Sequence, residues 1–197
     1  MSILARELYH RPALEVARDL LGCRLVRVQS GHRMSGLILE TEAYQGEEDL
    51  GCHASAGLTP RTSTMYGPPG HAYVYFTYGM HWLLNAVADG EGTPAAVLIR
   101  AIQPDEGQLL MAENRPKNAN RADWTDGPAK LTQALGIQST FNGIDLCSQQ
   151  DSLWIENGRT IQEKYIKRTP RIGLTSVPEP WRSIPWRLIA DQEALNG

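Results

Sequence analysis

Two glutamates, Glu40 and Glu42, stand two residues apart in the segment GLILETEAY, just ahead of a long turn-rich stretch. Side chains alternate across a strand. A strand here therefore puts Ile38, Glu40, Glu42 and Tyr44 on one face and Leu37, Leu39, Thr41 and Ala43 on the other. Like charges that close push at least one carboxyl pKa upward, which suits a general base working near neutral pH. Spacing alone fits a solvated strand face at least as well. It fits only weakly the acid–base pair of a sugar-chain hydrolase, whose carboxyls flank the bond at about 5–9.5 Å.

A second set of candidates is aromatic: Tyr44, Tyr73, Tyr75, Tyr78 and Trp82. Alternating tyrosines are more often half-buried sheet than a stacking platform. Tyr78 differs, because it precedes Gly79 at a turn, and an exposed aromatic on a turn can wedge between base pairs. His53 follows Cys52 in the long loop, but no other His or Cys falls at ligand spacing, so no metal site is expected. A lone loop histidine is usually solvated, with hydrogen bonding to a ligand as its alternative role. Asn85, Arg100 and Lys130 taken singly say little.

These residues have to be positioned by regular elements. PALEVARDLLGCRLVRV reads as a short helix, with Leu14, Ala17, Leu20 and Leu21 at helical spacing, ending near Gly22 and running into a strand. After GLILETEAY comes QGEEDLGCHASAGLTPRTSTMYGPPG, a long loop of several turns, and loops this long in a compact domain are usually functional. HAYVYFTYGMHWLLNAVAD reads as a hairpin bent at Tyr78-Gly79, and PAAVLIRAI as a central strand. DGPAKLTQALGI is a compact helix with Asp126 as its expected cap. The rest alternates short strands and turns. No repeat, low-complexity tract or linker appears, so a single α+β domain over residues 1–197 is expected.

Bulk composition narrows the class. The chain has 197 residues, 42% hydrophobic and 21% charged, ordinary for a globular protein. No apolar run nears the roughly 20 residues that span a bilayer, so no membrane partner is expected. Cys23, Cys52 and Cys147 are odd in number and far apart, which argues for reduced thiols in a cytosol-like compartment. A net charge of −3 counts against nucleic acid, yet its distribution softens the objection. Basic residues gather late, in Arg159, Lys164, Lys167, Arg168, Arg171, Arg182 and Arg187, opposed only by Glu163 and Glu179.

The motif string is more specific than any of these patterns. The run ETEAYQGEEDLGCHASAGLTPRTSTMYGPPGHAYVYFTYGMHWLLNAV, followed in order by VLIRAIQP and DGPAKLTQALGI, strongly resembles the alkyladenine (3-methyladenine) DNA glycosylase family. The likeness runs from about the first helix to the helix after Lys130. It implies a single domain with a curved antiparallel sheet and flanking helices. It also implies an enzyme that flips alkylated or deaminated purines out of duplex DNA and cuts their N-glycosidic bonds. Lesions such as 3-methyladenine, 7-methylguanine, hypoxanthine and ethenoadenine are the implied substrates. A free abasic site would remain, without strand cutting.

By that resemblance Glu42 is the catalytic glutamate that activates water. Tyr44, His53 and Tyr75 enclose the flipped base, Asn85 crowds the exocyclic amine of guanine, and Tyr78 fills the vacated space in the duplex. Arg100 lies near the phosphate of the flipped nucleotide, and Arg61 and Lys130 fit backbone-contact or scaffold roles. No cofactor or metal is implied, the expected state is a monomer, and the expected partner is double-stranded DNA holding damaged purines. The compartment would be the cytoplasm, at the nucleoid, of a bacterium, or the nucleus of a eukaryote. Gly51 replaces an alanine of many relatives, an exchange expected to shift His53 and alter lesion preference.

Two other functions compete: a catalytically silent nucleic-acid-binding module of the same fold, and a hydrolase of free sugars or nucleosides. The first has no use for a water-activating carboxylate, and the second none for Tyr78. From about Gln138 onward the likeness is loose, and no functional residue is assigned there. If the late basic cluster holds phosphate, neutralising Lys164, Lys167 and Arg168 should flatten the salt dependence of DNA binding, and an unchanged slope would remove that role.

Overall fold

The computed structural model describes residues 2–115 and 124–195. Among these, eight strands form one sheet in which every pairing is antiparallel. In chain order they are β1 (Arg24–Gln29), β2 (His32–Gln45), β3 (Ala72–Thr77), β4 (His81–Val87), β5 (Ala95–Glu106), β6 (Leu153–Glu156), β7 (Ile166–Thr169) and β8 (Arg187–Ala190). Four short helices accompany them: α1 (Arg6–Tyr9), α2 (Ala13–Asp19), α3 (Gln108–Asn114) and α4 (Pro128–Ala134).

The spatial order is β3-β4-β5-β2-β1-β6, and the spine is β2, with 14 residues. One edge of β2 pairs with β5 nearly throughout. The other edge is shared: residues 32–37 pair with β1, and residues 40–42 pair with β8, which also carries β7. The sheet curls strongly, as a twisted antiparallel sheet does when a long strand serves different neighbours along its length. The expected α+β domain with a curved sheet and flanking helices is what the chain forms.

The two faces of the sheet have different jobs. One face packs against α2, α3 and α4 in a core that includes Leu20, Met34, Ile38, Ile99, Met111 and Leu131. The other face carries a smaller cluster, Cys52, Ala54, Met65, Tyr73, Val87 and Ala96, edged by Tyr44, Tyr66 and Tyr75. The expected long loop covers this second face, with single turns at His53–Ala56 and Ser63–Tyr66.

Three local expectations need correction. Ile38 does not share a face with Glu40 and Glu42; it lies in the main core, because the register shifts on both sides of Glu40 and interrupts the two-residue period. Leu14 is exposed, and α2 instead buries Ala13, Val16 and Ala17. Asp126 does not cap α4. The cap position is Gly127, with Pro128 in the first turn, and Asp126 bonds Lys130 at 2.5 Å instead.

The placement of β2 against α2 is fixed by Thr41, fully buried, whose hydroxyl donates to the Ala17 carbonyl at 2.8 Å. Thr41→Val keeps the shape and strands that carbonyl. Urea unfolding should register a loss of about 1–3 kcal/mol; an unchanged midpoint would mean the bond contributes nothing.

Candidate active site

Strand register assembles a row of side chains. Glu42 of β2 lies opposite Leu98 of β5, Leu98 opposite Asn85 of β4, and Asn85 opposite Tyr73 of β3. All four line a cavity of about 300 Å³ on the loop-covered face. Tyr44 and Tyr75 are placed on the same face by the two-residue period, and His53 is brought in from the long loop. Arg100, two residues beyond Leu98, lines the same cavity, as does Tyr78 from the β3–β4 turn.

Glu42 has no solvent exposure. Its Oε1 accepts from the Ile172 backbone N–H at 2.7 Å, and its Oε2 from the Tyr44 hydroxyl at 2.8 Å. Arg100 Nη1 lies 3.3 Å from Oε2 while Arg100 Nε donates to Glu40 at 2.6 Å. Burial pushes the Glu42 carboxyl up. Arg100, the Ile172 amide and Tyr44 pull it back without cancelling that rise, and Glu40 adds a final upward push. The like-charge repulsion expected from the sequence is thus the least of the causes, and desolvation leads.

His53 Nδ1 sits 3.0 Å from the Tyr73 hydroxyl, and its ring meets Tyr75 edge to face with centroids 4.5 Å apart. Burial, with help from Arg61, pulls His53 down to about 4, so it is neutral at pH 7 and one ring nitrogen is an acceptor. Asn85 is buried and donates its side-chain N–H to the Tyr73 carbonyl at 2.9 Å, which fixes the orientation of its amide. These groups give the cavity flat apolar walls with a few fixed polar atoms, the usual form of a small-ligand site.

At the rim, Tyr78 is 81% exposed. It sits at φ +51° and Gly79 at φ +66°. They are the two central residues of a turn closed by the Met80 N–H on the Thr77 carbonyl at 3.2 Å, within a three-residue connection between paired Thr77 and His81; glycine meets positive φ freely and tyrosine at a cost of about 1–2 kcal/mol. A bulky ring at such a position is held there by the hairpin and has no packing role.

Of the candidates from the sequence, Glu42, Tyr44, His53, Tyr75, Asn85, Tyr78 and Arg100 come together around this cavity. Arg61 stays outside its lining, 5.1 Å over the Tyr75 ring. Lys130 is half-buried and pairs with Asp126, and Trp82 packs toward the main core and Phe76. The late basic residues do not form one surface. Arg171 is inside the protein, Arg187 reaches Glu40 at 2.6 Å, and Arg168 and Arg182 pair with Glu163 and Glu179.

Sequence reading missed the strap formed by residues 170–174. Ile172, Gly173 and Leu174 line the cavity, and Ile172 holds the carboxylate. Gly51 faces this strap: a Cβ there would come within 2.7 Å of Leu174 Cδ1 and 2.8 Å of Arg171 Nη2. The glycine thus matters for the closeness of loop and strap. No periodicity marks residues 170–174, and the partners that tie them to the site, Asp49 and Glu42, are more than 120 positions away.

A carboxyl raised in the folded state adds stability below its unfolded pKa of about 4.3, and that stability is lost as pH rises through the folded value. Glu42→Gln escapes the loss. Its melting temperature should exceed that of wild type by an amount that grows between pH 4.5 and 8, measured by calorimetry; a constant difference would contradict the raised carboxyl.

Among the described residues no group of three or more His, Cys, Asp or Glu side chains could hold a metal ion, and no helix is long and apolar enough to cross a membrane. Residues 7–194 match the family described as Methylpurine-DNA glycosylase (MPG). A protein of Methanocella arvoryzae named "Putative 3-methyladenine DNA glycosylase" is 48% identical over 186 residues, covering 92% of this chain and 92% of its own. Proteins bearing the same name in Herpetosiphon aurantiacus and Myxococcus xanthus are 45% and 46% identical, over 99% and 95% of this chain and 89% and 90% of theirs. The matched span includes every strand that lines the cavity, and the chain belongs to the methylpurine-DNA glycosylase family, hydrolases of base-excision DNA repair.

Proposed function

We propose that this protein excises alkylated and deaminated purines from double-stranded DNA, 3-methyladenine, 7-methylguanine, hypoxanthine and ethenoadenine among them, by a Glu42-activated water. The observation that carries this reading is a fully buried carboxylate, raised by burial, in the wall of an aromatic cavity with an exposed tyrosine at its mouth.

A base within a duplex is out of reach, so its nucleotide rotates out at a cost of a few kcal/mol. Tyr78 enters the gap and holds the stack open. The flipped purine stacks on Tyr44, His53 and Tyr75, with cation–π attraction added when alkylation has made it cationic. Asn85 crowds the exocyclic amine of an intact guanine. Water gives a proton to Glu42 as its oxygen bonds to C1′, and the electron pair of the C1′–N bond leaves with the base. A cationic purine departs neutral, while a neutral one departs as the anion and takes its proton from water. The negative charge of Glu42 also stabilises the oxocarbenium-like transition state. Arg100 lies near the sugar–phosphate of the flipped nucleotide, and Arg61 and Lys130 contact the backbone or brace the loop.

No lysine lines the cavity among the described residues, which favours hydrolysis over Schiff-base chemistry and strand cutting. The enzyme acts as a monomer, wherever the cell keeps its DNA. Single-turnover base release from duplexes holding one hypoxanthine or one ethenoadenine tests the reading. Glu42→Gln should lose about 10²–10⁴-fold in rate while lesion binding persists. Tyr78→Ala should weaken lesion capture. Absence of release from these duplexes and from methylated DNA alike would overturn the reading in favour of a binding module.

A further inference from the structure

Arg171 lies in the region that yielded no candidate from sequence, and its surroundings are unusual for an arginine. Neither its side chain nor that of Asp49 is exposed, and two guanidinium nitrogens meet the two carboxylate oxygens at 2.5 and 2.8 Å. The same guanidinium donates to the backbone carbonyls of Ala43 at 3.0 Å and Trp181 at 3.3 Å. Its central carbon lies 4.7 Å from the Tyr44 ring centre and 5.3 Å from that of Trp186. Its Nε, also buried, finds no acceptor among the described residues.

Stability is a poor reason for this arrangement. Desolvation offsets most of the Coulombic gain of a buried ion pair, and an apolar filler of similar volume often serves as well. No apolar filler could bind these four oxygens at once. Arg171 holds Ala43, the chain neighbour of Glu42, while its own chain neighbour Ile172 holds Glu42 itself. Strap and strand are thus stapled at two adjacent points. Through Asp49 the staple also fixes the loop that carries His53, and through Tyr44 it fixes the ring that bonds Glu42 Oε2.

We propose that Arg171 is a positioning residue for base excision: paired with Asp49, it sets residues 170–174 against β2 so that the Ile172 amide meets the Glu42 carboxylate and Tyr44 keeps its place in the cavity wall. This rests on the reading of Glu42 as the residue that activates water. The charged and titratable groups around Glu42 are Arg100, Glu40, Tyr44 and, across the cavity from β3, Tyr75, with Arg187 acting on Glu40 from β8.

The test compares wild type with the double variant Asp49→Asn/Arg171→Met and with Arg171→Lys. One readout is the titration of the Glu42 carboxyl by ¹³C NMR in the DNA-free protein. The second is single-turnover base release from a hypoxanthine duplex across pH 5–9, with affinity for undamaged duplex as a control. Because the double variant removes one charge of each sign, a displaced titration there reports the lost amide contact and not a lost charge. The expected result is an upward move of the Glu42 titration, a matching move of the pH–rate midpoint, and a maximal rate lowered about 10²-fold, the scale of an ångström of misplacement. Undamaged-duplex affinity should stay the same. A double variant that folds with wild-type titration and wild-type rate overturns the proposal. If the double variant melts below the assay temperature, Arg171→Lys decides by the same two readouts, since it leaves no uncompensated charge. Failure of wild type to release base would sink the proposed function instead, and the titration would still decide whether Arg171 positions Glu42.

Discussion

Glu42 keeps a carboxylate inside the protein because donors from separate parts of the chain reach its two oxygens. Tyr44 comes from the same strand, Arg100 from β5 and the Ile172 amide from the segment between β7 and β8. Without them the charge would face a desolvation penalty of several kcal/mol, and the group would stay protonated. Each donor is in reach only while β2 holds its register with β5 and β8. A slip of one residue would turn Glu42 toward α2 and put Thr41 or Ala43 in the cavity. The core on the helical face is what forbids that slip.

The division of labour between the faces follows. On the helical face the sheet buries large aliphatic side chains and gains most of its hydrophobic stabilisation. On the loop-covered face it sets Ala96 against the loop residues Cys52 and Ala54, beside polar and aromatic side chains, and leaves a cavity. A cavity forfeits packing contacts, and a buried carboxyl raised above its usual range is a further cost. Both are borne by a sheet whose other side is close-packed.

The parts of this arrangement that depend on local pattern could be read from the sequence. The hairpin bent at Tyr78-Gly79, the central strand through Leu98 and the loop over the site all follow from alternation, glycine placement and length. Glu42 and Tyr44 share a face because the period of two holds there. Ile38 broke the same rule because register shifts flank Glu40, and nothing in the residue types marks that irregularity. Asp126 resembled a cap, but Lys130 four residues on offered it an ion pair. The strap was illegible for another reason. Asp49 and Arg171 are ordinary surface-type residues 122 positions apart, and only the folded chain reveals that they are buried together as an ion pair. The likeness read from the sequence was loose after Gln138 and gave no help there, although the family match in fact extends to residue 194.

The way β2 shares one edge between β1 and β8 bears on how the protein is made. Its N-terminal half finds its neighbour almost at once, since β1 precedes it by a short turn. Its other half waits for Arg187–Ala190, far later in the sequence, and Glu42 waits for Ile172. During synthesis the carboxylate-bearing stretch of β2 is therefore an open edge lacking both its strand partner and its amide donor. A chain that has not yet reached Ile172 can pair β2 with β1 and β5 and still be without a finished centre, so this late segment ties the competence of the site to its own arrival.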